Sequence, residues 1–312
     1  MSRIHEALQK ARQQPLGSAQ QYPDVEDVIA AKGAAYDEPQ APPLSLTGPL
    51  EALSALDELE PILSNCAKHN WPRVGKNMIF LSDEADVTGQ EQFRTLRSRL
   101  YQMRAGGELK VIVVSSALPE EGKSFVSANL AHAFASQSGR RALVIDADTR
   151  RAGGLSALLE APTTPGLTEY LLGEKRIDEI IQVGCIERLY YIPCGKRVAK
   201  PGELIGDSRF GALIEQLRPS FDWIVIDTPP VLPISDARVI ADLSDGVLMV
   251  VNSAATLSRL AKRAAQEFRR ESILGVVLNR TSDPSATRYS AYGYGYGVES
   301  KERNSTPRVT SA

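Results

Sequence analysis

The sequence is poor in the residues that build metal and redox centres. Among 312 residues there are three cysteines, Cys66, Cys185 and Cys194, and three histidines, His5, His69 and His132. An odd cysteine count without a CxxC pair argues against a disulfide framework and against a zinc site, and suits a reducing compartment. Histidines this far apart in sequence exclude a His-rich metal centre. Long apolar runs are missing as well. Strings such as VLMVV (247–251) fall well short of the roughly 18 residues that span a bilayer. No apolar h-region follows the N-terminus, so no secretory signal is expected. The chain is expected to be soluble and cytoplasmic, and any work at a membrane would need another protein or a surface contact to hold it there. Excess charge of one sign is also absent. Thirty-six Lys and Arg oppose 38 Asp and Glu, a formal net charge of −2, which gives no support for a nucleic-acid or polybasic membrane binder.

Apolar residues make up 43%, enough for the core of one large domain or two ordinary ones. Three regions differ in pattern. Residues 1–75 form an N-terminal arm. Within it, 2–14 place Ile4, Ala7, Leu8 and Ala11 at helical spacing behind a possible Ser2 cap. Residues 15–49 carry Pro15, Pro23, Pro39, Pro42, Pro43 and Pro49 and read as a flexible linker, and 50–65 return to helical spacing. The arm is either a weakly ordered tail or a docking segment for a partner. Residues 76–283 alternate apolar runs with helical patterns. The runs are 110–115, 142–146, 189–192, 223–227, 247–251 and 273–278, with helices at 122–137 and 256–270 among the segments between them. Continuous apolar runs suit strands covered on both faces, and strand–helix alternation predicts a doubly wound, mostly parallel α/β sheet. Residues 284–312 are polar, Gly-rich and Tyr-rich, and read as a flexible tail.

The strand at 110–115 runs into SALPEEGKS, and a helix follows at once. Gly122, Lys123 and Ser124 fit the end of the phosphate-loop pattern GxxxxGK[ST], with Ala117 in place of its first glycine. Glycine lets the backbone approach phosphates closely, and the loop amides and helix N-terminus present fixed positive dipoles. Lys123 would reach the β- and γ-phosphates, and the Ser124 hydroxyl would bind Mg²⁺. Two other strands end in carboxylates, as Asp146-Ala-Asp148 and as Asp227-Thr-Pro-Pro. Ligands of open parallel sheets sit at the C-terminal strand ends, where such aspartates can hold Mg²⁺ and accept a proton. Asn279 and Arg280 end the last strand, and a side-chain amide there could read an adenine edge.

These motifs resemble those of the bacterial tyrosine kinases of polysaccharide synthesis and export. PEEGKS (119–124), LVIDADTR (143–150) and WIVIDTPP (223–230) are similar to that family's Walker A, A′ and B motifs, in the right order and spacing. The stretch PGELIGDSRFGALIEQL (201–217), the helical ExxRxxR of Glu91, Arg94 and Arg97, and RYSAYGYGYG (288–297) resemble the family too. Related partitioning and septum-placement ATPases carry a second lysine where this chain has Leu118. The segment NSAAT (252–256) departs from the arginine and glycine common in the kinases.

The resemblance implies a P-loop ATP-dependent protein-tyrosine autokinase that regulates exopolysaccharide or capsule polymerisation and export. A nucleotide-switched ATPase scaffold without kinase activity is the alternative, and a partitioning-type ATPase acting on DNA or cargo stands third. The tail favours the kinase, because four of the ten tyrosines, Tyr289, Tyr292, Tyr294 and Tyr296, fall within 289–296 as candidate autophosphorylation sites. ATP contacts are implied at Pro119, Glu120, Glu121, Gly122, Lys123, Ser124, Phe125, Asn279 and Arg280. Mg²⁺ ligands are implied at Ser124, Asp148 and Asp227. Lys123, Asp146, Asp148 and Asp227 form the catalytic set, with Asp146 first and Asp148 second as acceptor of the tyrosyl proton. Glu91, Arg94 and Arg97 would contact a neighbouring subunit in a ring, or else form only an internal ion pair on a solvated helix. A separate transmembrane co-polymerase adaptor, holding the kinase at the inner face of the membrane, and a phosphotyrosine phosphatase are the other implied partners. No nucleic acid is expected.

Overall fold

In a computed structural model the structure describes residues 63, 66–68, 78–80, 87–105 and 109–281, apart from 152 and 185. Most of the N-terminal arm and the four tail tyrosines lie outside the described residues. The elements run β1 (Ala67–Lys68), α1 (Val87–Arg104), β2 (Val111–Ser116), α2 (Lys123–Ala135), β3 (Ala142–Asp146), α3 (Gly154–Leu159), α4 (Leu167–Leu171), α5 (Ile177–Ile180) and β4 (Gln182–Val183). They continue with β5 (Leu189–Ile192), α6 (Pro201–Ile205), α7 (Ser208–Leu217), β6 (Trp223–Asp227), α8 (Asp236–Ala241), β7 (Gly246–Asn252), α9 (Ser258–Gln266) and β8 (Ile273–Asn279).

One sheet of order β1-β4-β5-β3-β6-β2-β7-β8 carries the domain, parallel throughout except for the β4–β5 pair. The apolar runs become strands for the expected reason. Every position of β2, β3, β6 and β7 is buried. Alternate side chains enter two different cores. Val111, Val113, Leu143, Ile145, Ile224 and Ile226 face one core, which α7 covers with Phe210, Leu213, Ile214 and Leu217 at helical spacing. Ile112, Val114, Val144 and Val225 face the other, with Leu130 and Phe134 of α2. Helix α2 is buried along nearly its whole length because α1 packs over it.

Trp223 anchors the second core. It stacks on Phe134 with centroids 4.2 Å apart, meets Tyr101 edge-on at 5.2 Å, and lies under the Arg104 guanidinium at 5.1 Å. Offset and edge-on ring pairs contribute beyond simple burial.

Several elements differ from the sequence expectation. Ala67–Lys68, expected in the arm, pairs with β4 as an edge strand, and Leu63 and Cys66 pack into the first core. Two-residue strands carry too little pattern to show an alternation. Helix α9 is shorter than 256–270, because a turn at 252–256 precedes it and a 3₁₀ turn at Arg270–Ser272 follows it. Among the described residues no helix is long and apolar enough to cross a membrane.

The strand order places the β2, β3 and β6 carboxyl ends side by side. β6 lies between the other two, and Asp146 and Asp227 are register partners. The stack on Trp223 gives a stability test: Phe134→Ala should lower unfolding free energy by about 3–5 kcal/mol in urea denaturation, through lost burial and a cavity that α2 cannot close.

Candidate active site

The loop between β2 and α2 is built on one glycine. Gly122 sits at φ 94° at the start of α2, and a side chain there would meet the Asn279 amide nitrogen at 2.0 Å. Only glycine satisfies both conditions. Its carbonyl accepts the Val126 amide at 2.9 Å, so the turn continues directly into α2. The loop's first half is fixed from below: Ser116 Oγ donates to the Leu118 carbonyl at 2.7 Å, and Val231 N–H donates to the Ser116 carbonyl at 2.8 Å.

A cavity of about 320 Å³ opens over this loop. Lys123, Ser124, Asp146, Asp148, Asp227 and Arg280 line it, with Glu120, Gly122 and Phe125. Most of the residues expected to act together are thus brought together. Pro119, Glu121 and Asn279 are not among its lining residues. The Asn279 amide nitrogen donates to the Glu121 carbonyl at 2.9 Å and its oxygen accepts the Arg280 N–H at 2.9 Å, so this side chain braces the loop. Residues that sequence reasoning passed over also take part. Ser127, one helical turn beyond Ser124, donates to Asp227 at 3.1 Å; the SxxS spacing on α2 carried that signal. Arg150 grips Asp236 at 2.8 and 3.0 Å, tying the end of the A′ segment to α8.

The carboxyls are crowded and dry. Asp227 accepts from Ser124 Oγ at 2.5 Å, and burial holds its acid up to about 6 in spite of the two serine hydroxyls and the Lys123 charge. Asp146 is 1% exposed; its Oδ1 accepts the Asp148 N–H at 3.1 Å, while its Oδ2 is buried with no partner. Burial first, then the charges of Asp227 and Asp148, push its acid well above the ordinary aspartate range. Burial also raises Asp148, moderated by the Arg151 N–H and by Lys123.

Such a site favours any cation that neutralises it. Among the described residues no three acidic, imidazole or thiol groups converge as a ready-made cage. Mg²⁺ takes hard oxygen donors and leaves its remaining positions to water and phosphates. The Ser124 hydroxyl and the Asp148 and Asp227 carboxylates are hard oxygen donors of that kind, and the orphaned Asp146 Oδ2 shows that the cavity has acceptor capacity to spare.

Of the expected interface residues, Glu91 and Arg94 pair with each other on the exposed side of α1. Arg97 instead donates to the Ala133 carbonyl at 2.6 Å, near the end of α2.

Comparison with known proteins agrees with this geometry. A family described as an AAA domain matches residues 109–265. The succinoglycan biosynthesis transport protein ExoP of Rhizobium meliloti is 38% identical over 215 residues, covering 67% of this chain; the match spans only 27% of ExoP. The tyrosine-protein kinase YwqD of Bacillus subtilis is 30% identical over 234 residues, 74% of this chain and 96% of YwqD. The kinase domain of the Escherichia coli tyrosine kinase ETK superimposes with a TM-score of 0.58 at 30% identity, over 66% of this chain and 80% of that one.

The raised acids make the cavity a source of instability. Between 3.8, the ordinary aspartate value, and about 6 for Asp227, the folded state holds protons that the unfolded state releases. The contribution of these groups to stability therefore falls as pH rises through that window. Asp146→Asn should raise the Tm of the unliganded protein near neutral pH, by about 2–4 °C for each kcal/mol of repulsion relieved. The gain should shrink as pH falls towards the ordinary aspartate value, which calorimetry at several pH values would check.

Proposed function

The chain belongs to the bacterial tyrosine-protein kinase family, and we propose that it transfers the γ-phosphoryl group of ATP to tyrosines of its own kind. The observation that carries this reading is Asp146, a buried carboxyl with an unpartnered oxygen, set in one cavity with Lys123 and Ser124. Phosphoryl transfer is mainly positioning and charge stabilisation. Lys123 and the loop amides hold the β- and γ-phosphate oxygens. Mg²⁺, held by Ser124, Asp148 and Asp227, would neutralise charge on those oxygens.

A tyrosine hydroxyl has an ordinary pKa near 10 and is a poor nucleophile until a base takes its proton. Asp146 Oδ2 accepts that proton as the tyrosyl oxygen bonds to the γ-phosphorus and the bond to the β-bridging oxygen breaks, releasing ADP. Burial makes Asp146 a stronger base than an exposed aspartate, which brings it nearer the proton it must accept.

The substrates closest to hand are Tyr289, Tyr292, Tyr294 and Tyr296. A non-kinase ATPase has no use for such a cluster. In this reading 76–283 is the catalytic domain and 284–312 the substrate tail. The kinase works in a ring of its own copies, on a membrane adaptor at the inner face of the cell membrane, and a phosphatase resets it. The name of ExoP, a succinoglycan biosynthesis transport protein, supports a role in polysaccharide export.

Purified protein, labelled ATP and Mg²⁺ should yield phosphotyrosine. Lys123→Met should abolish it, and Asp146→Asn should slow it by about 10²–10⁴-fold while changing ATP affinity less. Label on the Lys123→Met protein alone would sink the assignment of the loop.

Assembly has its own test. Arg97 donates to α2, so Glu91 and Arg94 are the two members of the expected interface whose removal leaves that brace in place. The double change Glu91→Ala with Arg94→Ala should lower the mass seen by light scattering and leave the circular dichroism spectrum unchanged. An unaltered mass would remove this face from the interface.

A further inference from the structure

A carboxylate in a phosphate-binding loop repels its own ligand unless other groups claim it. Glu121 immediately precedes Gly122, yet its side chain is 2% exposed and does not line the cavity. Its Oε2 accepts the Leu118 N–H at 2.7 Å. Its Oε1 accepts the Asn252 N–H at 3.3 Å and the Thr256 hydroxyl in a short contact. One donor belongs to the loop itself, and the other two belong to the end of β7 and the turn that follows.

We infer that Glu121 is a positioning residue, a latch that fastens the phosphate loop to the 252–256 turn and holds it in its receiving shape. The inference rests on the nucleotide reading above. The same residue is tied a second time, through its carbonyl to Asn279 at 2.9 Å. The turn that supplies the donors is itself firm: Thr256 N–H donates to the Asn252 carbonyl at 2.9 Å, Ala254 N–H to Asn252 Oδ1 at 3.1 Å, and Ser253 N–H to the Asn279 carbonyl at 2.9 Å. The latch also chooses which amides are offered to a phosphate. The Leu118 N–H is spent on Glu121, which leaves the cradle to the amides further along the loop. Gly122, in its left-handed conformation, then starts α2 from a fixed point.

Thr256 is not among the residues lining the cavity. Its hydroxyl is given to Glu121 instead, so a change there separates a latch from a direct contact. A charge argument points the other way for Glu121 itself. If the carboxylate were merely a nearby negative charge, Glu121→Gln would tighten phosphate binding. A latch predicts weaker binding, because a glutamine cannot accept all three donors when one of its two polar atoms is an amide nitrogen.

The test titrates the full chain with a fluorescent ADP analogue in the presence of Mg²⁺. Thr256→Val should raise Kd by about tenfold, the weight of one hydrogen bond to a charged group. Thr256→Ser, which keeps the hydroxyl, should bind as the wild type does, and Glu121→Gln should bind more weakly. In the kinase assay the Thr256→Val change should appear in KM for ATP and leave kcat near its starting value. A role confined to stability would move Tm and leave Kd alone. Equal binding by Thr256→Val, or tighter binding by Glu121→Gln, overturns the latch. A wild-type chain that binds no nucleotide overturns the kinase reading itself, and the latch with it.

Discussion

Asp146 and Asp227 stand next to each other at the ends of adjacent parallel strands, and burial makes their charges expensive to hold. Much of the surrounding structure can be understood as the means of keeping them there. Lys123 sets a positive charge near Asp227, and two hydroxyls of α2 donate to that carboxylate. Asp146 retains one unpaired oxygen. A core laid out for stability alone would fill these positions with apolar side chains. The strain is tolerable because β3 and β6 are buried along their full length, so the rigid strands cannot move apart to relieve it.

The order of the strands does the rest. With β2 between β6 and β7, the loop leaving β2 is flanked on one side by the carboxylates and on the other by the turn after β7 and the end of β8. The first neighbour supplies chemistry. The second supplies support, through Asn279 and the backbone of the 252–256 turn. A loop supported on one flank only would have to hold its own shape against the phosphates it binds.

Strands β3, β5 and β6 were legible residue for residue, because an unbroken apolar run bounded by polar residues has a single reading in a doubly wound sheet. The phosphate loop and the strand-end aspartates were legible because their chemistry needs fixed residue types at fixed spacing. β1 and β4 were not, since two residues display no period. The direction of the Glu121 side chain was also hidden. A glutamate beside a glycine and a lysine suggests a ligand contact, and only the fold reveals three donors waiting beneath it. The reach of Arg97 was hidden for a similar reason. Its spacing from Glu91 and Arg94 places it on a broad common face, and its long side chain reaches across from α1 to a carbonyl of α2.

The pairing of Arg150 with Asp236 has a consequence for how such a domain can change over generations. Asp236 is almost wholly buried, and its two oxygens are satisfied by one guanidinium. Losing the arginine first would strand a buried charge, and losing the aspartate first would release the arginine from its contact with α8. Gly202 adds a third constraint, since any side chain there would press on both partners at 3.1 and 3.2 Å. Three positions distant in sequence are thus linked: a change at Arg150 or Asp236 alone passes through a destabilised intermediate, and a side chain at 202 is accommodated more easily once the pair is gone.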